Sequence, residues 1–156
     1  MKAPLTSDEE AYRVSLGEDR LQKRPDILLF PNEGKCIIIE FKNPNENVSD
    51  HLAQINKYAS WLRNLTKDKF AVDTFFGYLI GQNIDVRDVR AADSDFKHSS
   101  HFDYMFRPAK TVLGEFGRAD GSIYTEVLKY STLLERASAR NKIFLDKIRT
   151  SAVVEH

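Results

Sequence analysis

A single cysteine, Cys36, stands in the 156 residues, which excludes an internal disulfide and a cysteine-built zinc cage. No apolar run approaches the roughly 18 residues of a membrane span, and no charged-then-apolar leader opens the chain. A reducing cytoplasm is therefore the expected home. Excess charge is missing too, because 23 Lys and Arg balance 23 Asp and Glu. Composition thus announces no basic nucleic-acid binder, although a local basic face would escape that sum. Internal repeats and low-complexity tracts are also absent. What remains is ordinary. A 42% apolar and 29% charged chain belongs to the globular class, and its length fits one domain over residues 1–156. A domain of this size buries roughly two-thirds of its unfolded surface and needs no staples.

Turn signals and apolar periodicity divide the chain. Ser7, Asp8, Glu9 and Glu10 can cap and begin a short helix, and Tyr12 to Leu16 alternates like a strand. Asp26 to Phe30 and Cys36 to Phe41 are apolar runs separated by the turn Pro31-Asn32-Glu33-Gly34. They predict an antiparallel hairpin whose strands are central and covered on both faces. From Val48 to Arg63, the residues Val48, Leu52, Ile55, Ala59 and Leu62 form one helical stripe. Phe75 to Ile80 predicts a buried strand, and Gln82 to Ser100 a short helix and a loop. His101 to Arg107 and Thr111 to Phe116, separated around Pro108, predict edge strands, and Ser122 to Tyr130 a further strand. A last helix spans Ser131 to Arg149 with Leu134, Ala137, Phe144 and Ile148 inward. Strands mixed with helices make the chain α/β.

The chemistry concentrates in Arg24-Pro25-Asp26, then thirteen residues, then Glu40-Phe41-Lys42. Glu40 and Lys42 leave one face of their strand, at the end of an apolar run where the charges can reach solvent. Asp26 opens the neighbouring strand at the end that meets Lys42 when the hairpin closes. Two carboxylates and an ammonium then converge. Mg²⁺ or Mn²⁺ suits such a pair, because a hard cation needs oxygen ligands and keeps several waters. A cation held there polarises a phosphoryl oxygen, and Lys42 orients the attacking water or stabilises developing charge. The triplet alone means little, since Glu33-Gly34-Lys35 and Asp95-Phe96-Lys97 match it as well. The first lies in a turn and the second in a polar loop, so context selects Glu40-Phe41-Lys42. On the following helix, Gln54 and Tyr58 form with His51 and Trp61 a second stripe, about a quarter-turn from the apolar one. That stripe borders the core and faces the end of the strand.

These residues together resemble the PD-(D/E)xK nuclease superfamily, in its version with a Gln-x-x-x-Tyr motif on the helix after the Glu-x-Lys strand. The likeness covers about residues 12–80. It implies a restriction-endonuclease-like mixed central β-sheet flanked by helices, and hydrolysis of phosphodiester bonds. By resemblance, Asp26, Glu40 and the Phe41 carbonyl would hold the metal. Lys42 would be the catalytic lysine, and Gln54 and Tyr58 would line the site. The implied partner is nucleic acid, with DNA the expected substrate although no residue chooses DNA over RNA. Leu133 to Phe144, with Arg136, Arg140 and Asn141, looks like the closing helix of nuclease domains attached to larger ATP-binding bacterial proteins. An attached ATPase is accordingly an expected neighbour. The family usually adds an acidic residue from a helix before the first strand, for which Glu9, Glu10 and Glu18 all stay open. The short approach to that strand makes the chain a candidate C-terminal fragment of a larger protein.

Plainer readings compete. Asp26, Glu40 and Lys42 could be a surface ion pair worth about 0–1 kcal/mol, and Gln54 and Tyr58 ordinary border polarity. A catalytically inactive nuclease fold that binds nucleic acid or protein within an assembly is the alternative function, and fold alone does not exclude it. Retention of both acids with the lysine favours the enzyme. His98 and His101 lack a third ligand nearby and read as a solvated loop. Arg136, Arg140, Lys142, Lys147 and Arg149, diluted by Glu135 and Asp146, read as a solvated helix face, Cys36 as inert and Trp61 as packing.

Overall fold

Around Gly34 the chain folds back on itself. Strand β1 (Ile27–Leu29) pairs antiparallel with β2 (Lys35–Phe41), with Ile27 opposite Ile39. Gly34 closes the turn at φ +74°, a left-handed conformation that side chains resist. The computed structural model describes residues 25–65 and 71–154. The helix expected from Ser7, the strand over Tyr12 to Leu16, and Glu9, Glu10 and Glu18 lie outside the described residues.

Beyond β2, Asn47 caps a 3-10 turn over Val48–His51 by accepting the Ser49 N–H, and helix α1 (Leu52–Leu65) follows. The remaining elements are β3 (Thr74–Gly81), α2 (Val86–Ala92), β4 (Lys97–His98), β5 (Tyr104–Val112), β6 (Gly121–Lys129) and α3 (Tyr130–Val154). Among the described residues the strands form one sheet in the order β1-β2-β3-β6-β5-β4. β2, β3 and β6 run parallel, while β1, β5 and β4 join antiparallel. This is the expected mixed α/β sheet flanked by helices.

The stripe Val48, Leu52, Ile55, Ala59 and Leu62 is buried as its period requires. It meets Cys36 and Ile38 of β2, Phe75 and Leu79 of β3, and Ile123 and Val127 of β6 in one core. Full burial of each large aliphatic side chain stabilises by about 1.5–3 kcal/mol. Helix and sheet approach closely because β3 carries Gly77, where a Cβ would stand 2.6 Å from Ile55 Cγ2. Close contact there fixes the height of α1 over the sheet, and with it the height of Gln54.

Three sequence expectations are corrected. β1 lies at the sheet edge among the described residues and Leu29 is 47% exposed, so its apolar run does not mean cover on both faces. The segments around Pro108 are not two edge strands but a single strand, β5, between β6 and β4. Its register on β6 shifts between Arg107 and Lys110, and that bulge accommodates a proline with no N–H to give the ladder. In α3, Leu134, Ala137, Phe144 and Ile148 are not buried but exposed, Leu134 at 68% and Ala137 on the wall of a groove against the sheet. Apolar residues are spread around that helix (Leu133, Ile143 and Leu145 as well), so its sequence holds no single stripe that dictates an inward face.

Candidate active site

The antiparallel register brings Asp26 level with Glu40. The Asp26 N–H donates to Glu40 Oε2 at 3.1 Å, and the Phe41 N–H donates to Asp26 Oδ2 at 2.9 Å. Each acid is therefore held by the other's strand. Lys42 lies just past β2, where its N–H donates to the Ile80 carbonyl at 2.8 Å. Its ammonium turns back to Glu40 Oε1 at 3.1 Å and reaches Gln54 Oε1 on α1 at 2.9 Å. One helical turn on, Gln54 Nε2 donates to the Tyr58 hydroxyl at 2.6 Å.

All five residues expected at a site are thus joined in one hydrogen-bonded run, Asp26–Glu40–Lys42–Gln54–Tyr58, which Asp26 enters through its backbone N–H. Its location is the carboxyl end of a parallel strand, where open α/β sheets place ligands. One expectation changes. Glu40 and Lys42 do not stand in solvent, because α1 covers them, leaving their side chains 6% and 10% exposed. Burial first, and then the charges of Glu40 and Asp26, push the Tyr58 hydroxyl up to about 12 against the opposing Gln54 hydrogen bond. Tyr58 therefore stays protonated as a donor at neutral pH.

The other marked residues divide. Trp61 packs against the core, and its buried indole N–H has no hydrogen-bond partner among the described residues. His98 bonds the Ser99 carbonyl and Asp103, at 2.8 and 3.0 Å, with no metal-like cluster around it among the described residues. Arg136 is not a solvated cation: it donates to buried Glu126 at 2.8 Å and lies over the Tyr104 ring. With Arg140 and Asn141 it lines a groove of about 830 Å³ between α3 and the other face of the sheet. Neither Asp26, Glu40 nor Lys42 lines that groove, so the groove and the acidic constellation are different places.

Two clusters escaped sequence reasoning. Arg107 on β5 is 2% exposed and donates to Asp93 at 2.6 Å, Asn56 at 2.7 Å and Thr125 at 3.1 Å. Burial alone would raise the Asp93 carboxyl, but hydrogen bonding to Arg107 and neighbouring charge hold it below its usual value. Tyr130, at the start of α3, reaches the site from a distant part of the chain. Its hydroxyl donates to the Lys42 carbonyl at 2.9 Å, and its ring stacks on Phe41.

Residues 10–95 match the family model of the type I restriction enzyme R protein N terminus. The chain belongs to that family. The matched span includes every member of the Asp26–Tyr58 run, while Tyr130 and α3 follow it. No curated protein and no solved structure matches the chain. Membership in the R-protein N-terminus family makes this a restriction-enzyme-related domain, consistent with a restriction-endonuclease-like fold. Among the described residues, no helix is long and apolar enough to cross a membrane. No group of three or more His, Cys, Asp or Glu side chains gathers there either.

Proposed function

We propose that this chain is a metal-dependent nuclease domain of the PD-(D/E)xK type with a Gln-x-x-x-Tyr helix, acting on DNA within a larger protein. The observation that carries this reading is the unbroken run from Asp26 through Glu40 and Lys42 to Gln54 and Tyr58. A surface ion pair would have no reason to tie two strands and a helix together at the carboxyl end of the sheet.

The donor set fits Mg²⁺ or Mn²⁺. Asp26 and Glu40 offer hard carboxylate oxygens, and a magnesium site needs only one or two of these beside waters and substrate phosphates. These two acids would hold the ion, joined by the Phe41 carbonyl. Bound there, the ion supplies Lewis acidity toward a phosphoryl oxygen. The chain's own groups do the rest. Lys42 orients the attacking water and stabilises charge developing on the phosphate. Gln54 holds the Lys42 ammonium on the strand side, and Tyr58 holds Gln54. In the overall reaction, water adds to phosphorus as the P–O ester bond breaks, leaving a phosphate monoester and a free hydroxyl.

The test is cleavage of DNA by the natural-length protein in Mg²⁺ or Mn²⁺, with and without chelator. Asp26→Asn should lose both Mn²⁺ binding and cleavage, because a neutral amide is a poorer ligand for a hard cation. DNA binding by the unaltered protein with no cleavage in any divalent metal, and the same binding in Asp26→Asn, would overturn the nuclease reading in favour of a binding module.

A further inference from the structure

The Phe41–Lys42 segment joins both halves of the proposed site, since Glu40 precedes it and the Lys42 ammonium follows. Asp26 takes the Phe41 N–H at 2.9 Å, and the Ile80 carbonyl takes the Lys42 N–H at 2.8 Å. Those contacts fix the segment from its two neighbouring strands. The third support comes from the end of β6. Tyr130 donates its hydroxyl to the Lys42 carbonyl at 2.9 Å. Its ring lies nearly parallel to Phe41, 5° between planes and 6.4 Å between centroids. Offset stacking at this separation is favourable and resists rotation of the Phe41 side chain.

We propose that Tyr130 is a positioning residue of the nuclease site, clamping the Phe41–Lys42 segment from the face opposite α1. The proposal rests on the nuclease reading given above. Lys42 points its ammonium toward α1 while its carbonyl is held by Tyr130, so the residue is fixed at both ends. Phe41 is 40% exposed, and the stack on Tyr130 restrains its ring. Tyr130 is also the first residue of α3, so this contact makes the start of the last helix part of the site. Groups that orient first ligands are worth roughly 10–100-fold in metal affinity or activity.

The experiment compares Tyr130→Phe, which keeps the ring, and Tyr130→Leu, which loses both contacts, with the unaltered chain. Mn²⁺ affinity is read by calorimetry, and protection of the Phe41 and Lys42 amides by hydrogen exchange. Thermal unfolding confirms that each variant is folded. Tyr130→Phe should weaken Mn²⁺ binding by roughly tenfold and speed exchange at both amides. Tyr130→Leu should do more of each, and in the natural-length protein kcat should fall with KM for DNA unchanged. Unaltered Mn²⁺ affinity and exchange in folded Tyr130→Leu would overturn the proposal. An unaltered chain that binds no Mn²⁺ would instead sink the nuclease reading, and this proposal with it.

Discussion

The Lys42 ammonium sits 2.9 Å from Gln54 Oε1 and 3.1 Å from Glu40 Oε1, so strand β2 and helix α1 share one buried cation. This contact has a structural weight as well as the chemical one proposed.

Lys42→Ala should therefore cost stability and not only cleavage. It leaves the Glu40 carboxylate, 5% exposed, with its Oε1 stripped of the ammonium. A loss of about 1–3 kcal/mol is expected from stranding a buried acceptor, read as a lower urea midpoint. Cleavage should fall by roughly a hundredfold or more. Full activity in Lys42→Ala would remove lysine from the mechanism.

Tyr58 offers a spectroscopic test of the same geometry. Its hydroxyl should titrate at about 12 rather than with ordinary tyrosines. Glu40→Gln removes one charge that raises it and should bring the titration down, though not to the ordinary value, because burial is the larger cause. Ring-carbon NMR across the alkaline range reads both. Indifference of Tyr58 to Glu40→Gln would separate the two residues.

Asp93 and Arg107 predict how the fold responds to acid. The folded-state carboxyl of Asp93 lies below its ordinary value, so its stabilising contribution is complete above about pH 3.9. That contribution is lost as pH falls through the lowered folded value. Arg107→Met strips from Asp93 its hydrogen-bonded partner, leaving only Lys110 at 3.6 Å, and should cost about 3 kcal/mol at neutral pH. The variant's stability should also depend less on pH below about pH 4. Denaturant titrations at several pH values check this, and an unchanged acid profile would exclude the pair as its source.

How much of this was legible depended on how far apart the partners lie in sequence. Asp26, Glu40 and Lys42 sit on one hairpin, and Gln54 and Tyr58 on the next helix, so period and register alone bring them together. The stripe from Val48 to Leu62 worked for the same reason. Arg107 was not legible, because its partners Asn56 and Asp93 come from other elements and no periodicity links them. Tyr130 was hidden likewise, and its role depends on where β6 inserts in the sheet. Pro108 misled because the letter alone does not distinguish a strand end from a bulge. The exposed side chains of α3 misled because a helix apolar on several sides suggests cover without naming the side.

The insertion of β6 beside β3 has a consequence for synthesis. The parallel pair aligns Phe75 with Ile123 and Ile80 with Leu128, so β3 has only one neighbour until the later strand exists. A nascent chain halted at residue 95, where the family match ends, would present the unsatisfied edge of Thr74–Gly81 to whatever it met. Long-range parallel pairing closes late and leaves such an edge open to aggregation meanwhile. A ribosome must release residue 129 before this sheet can seal.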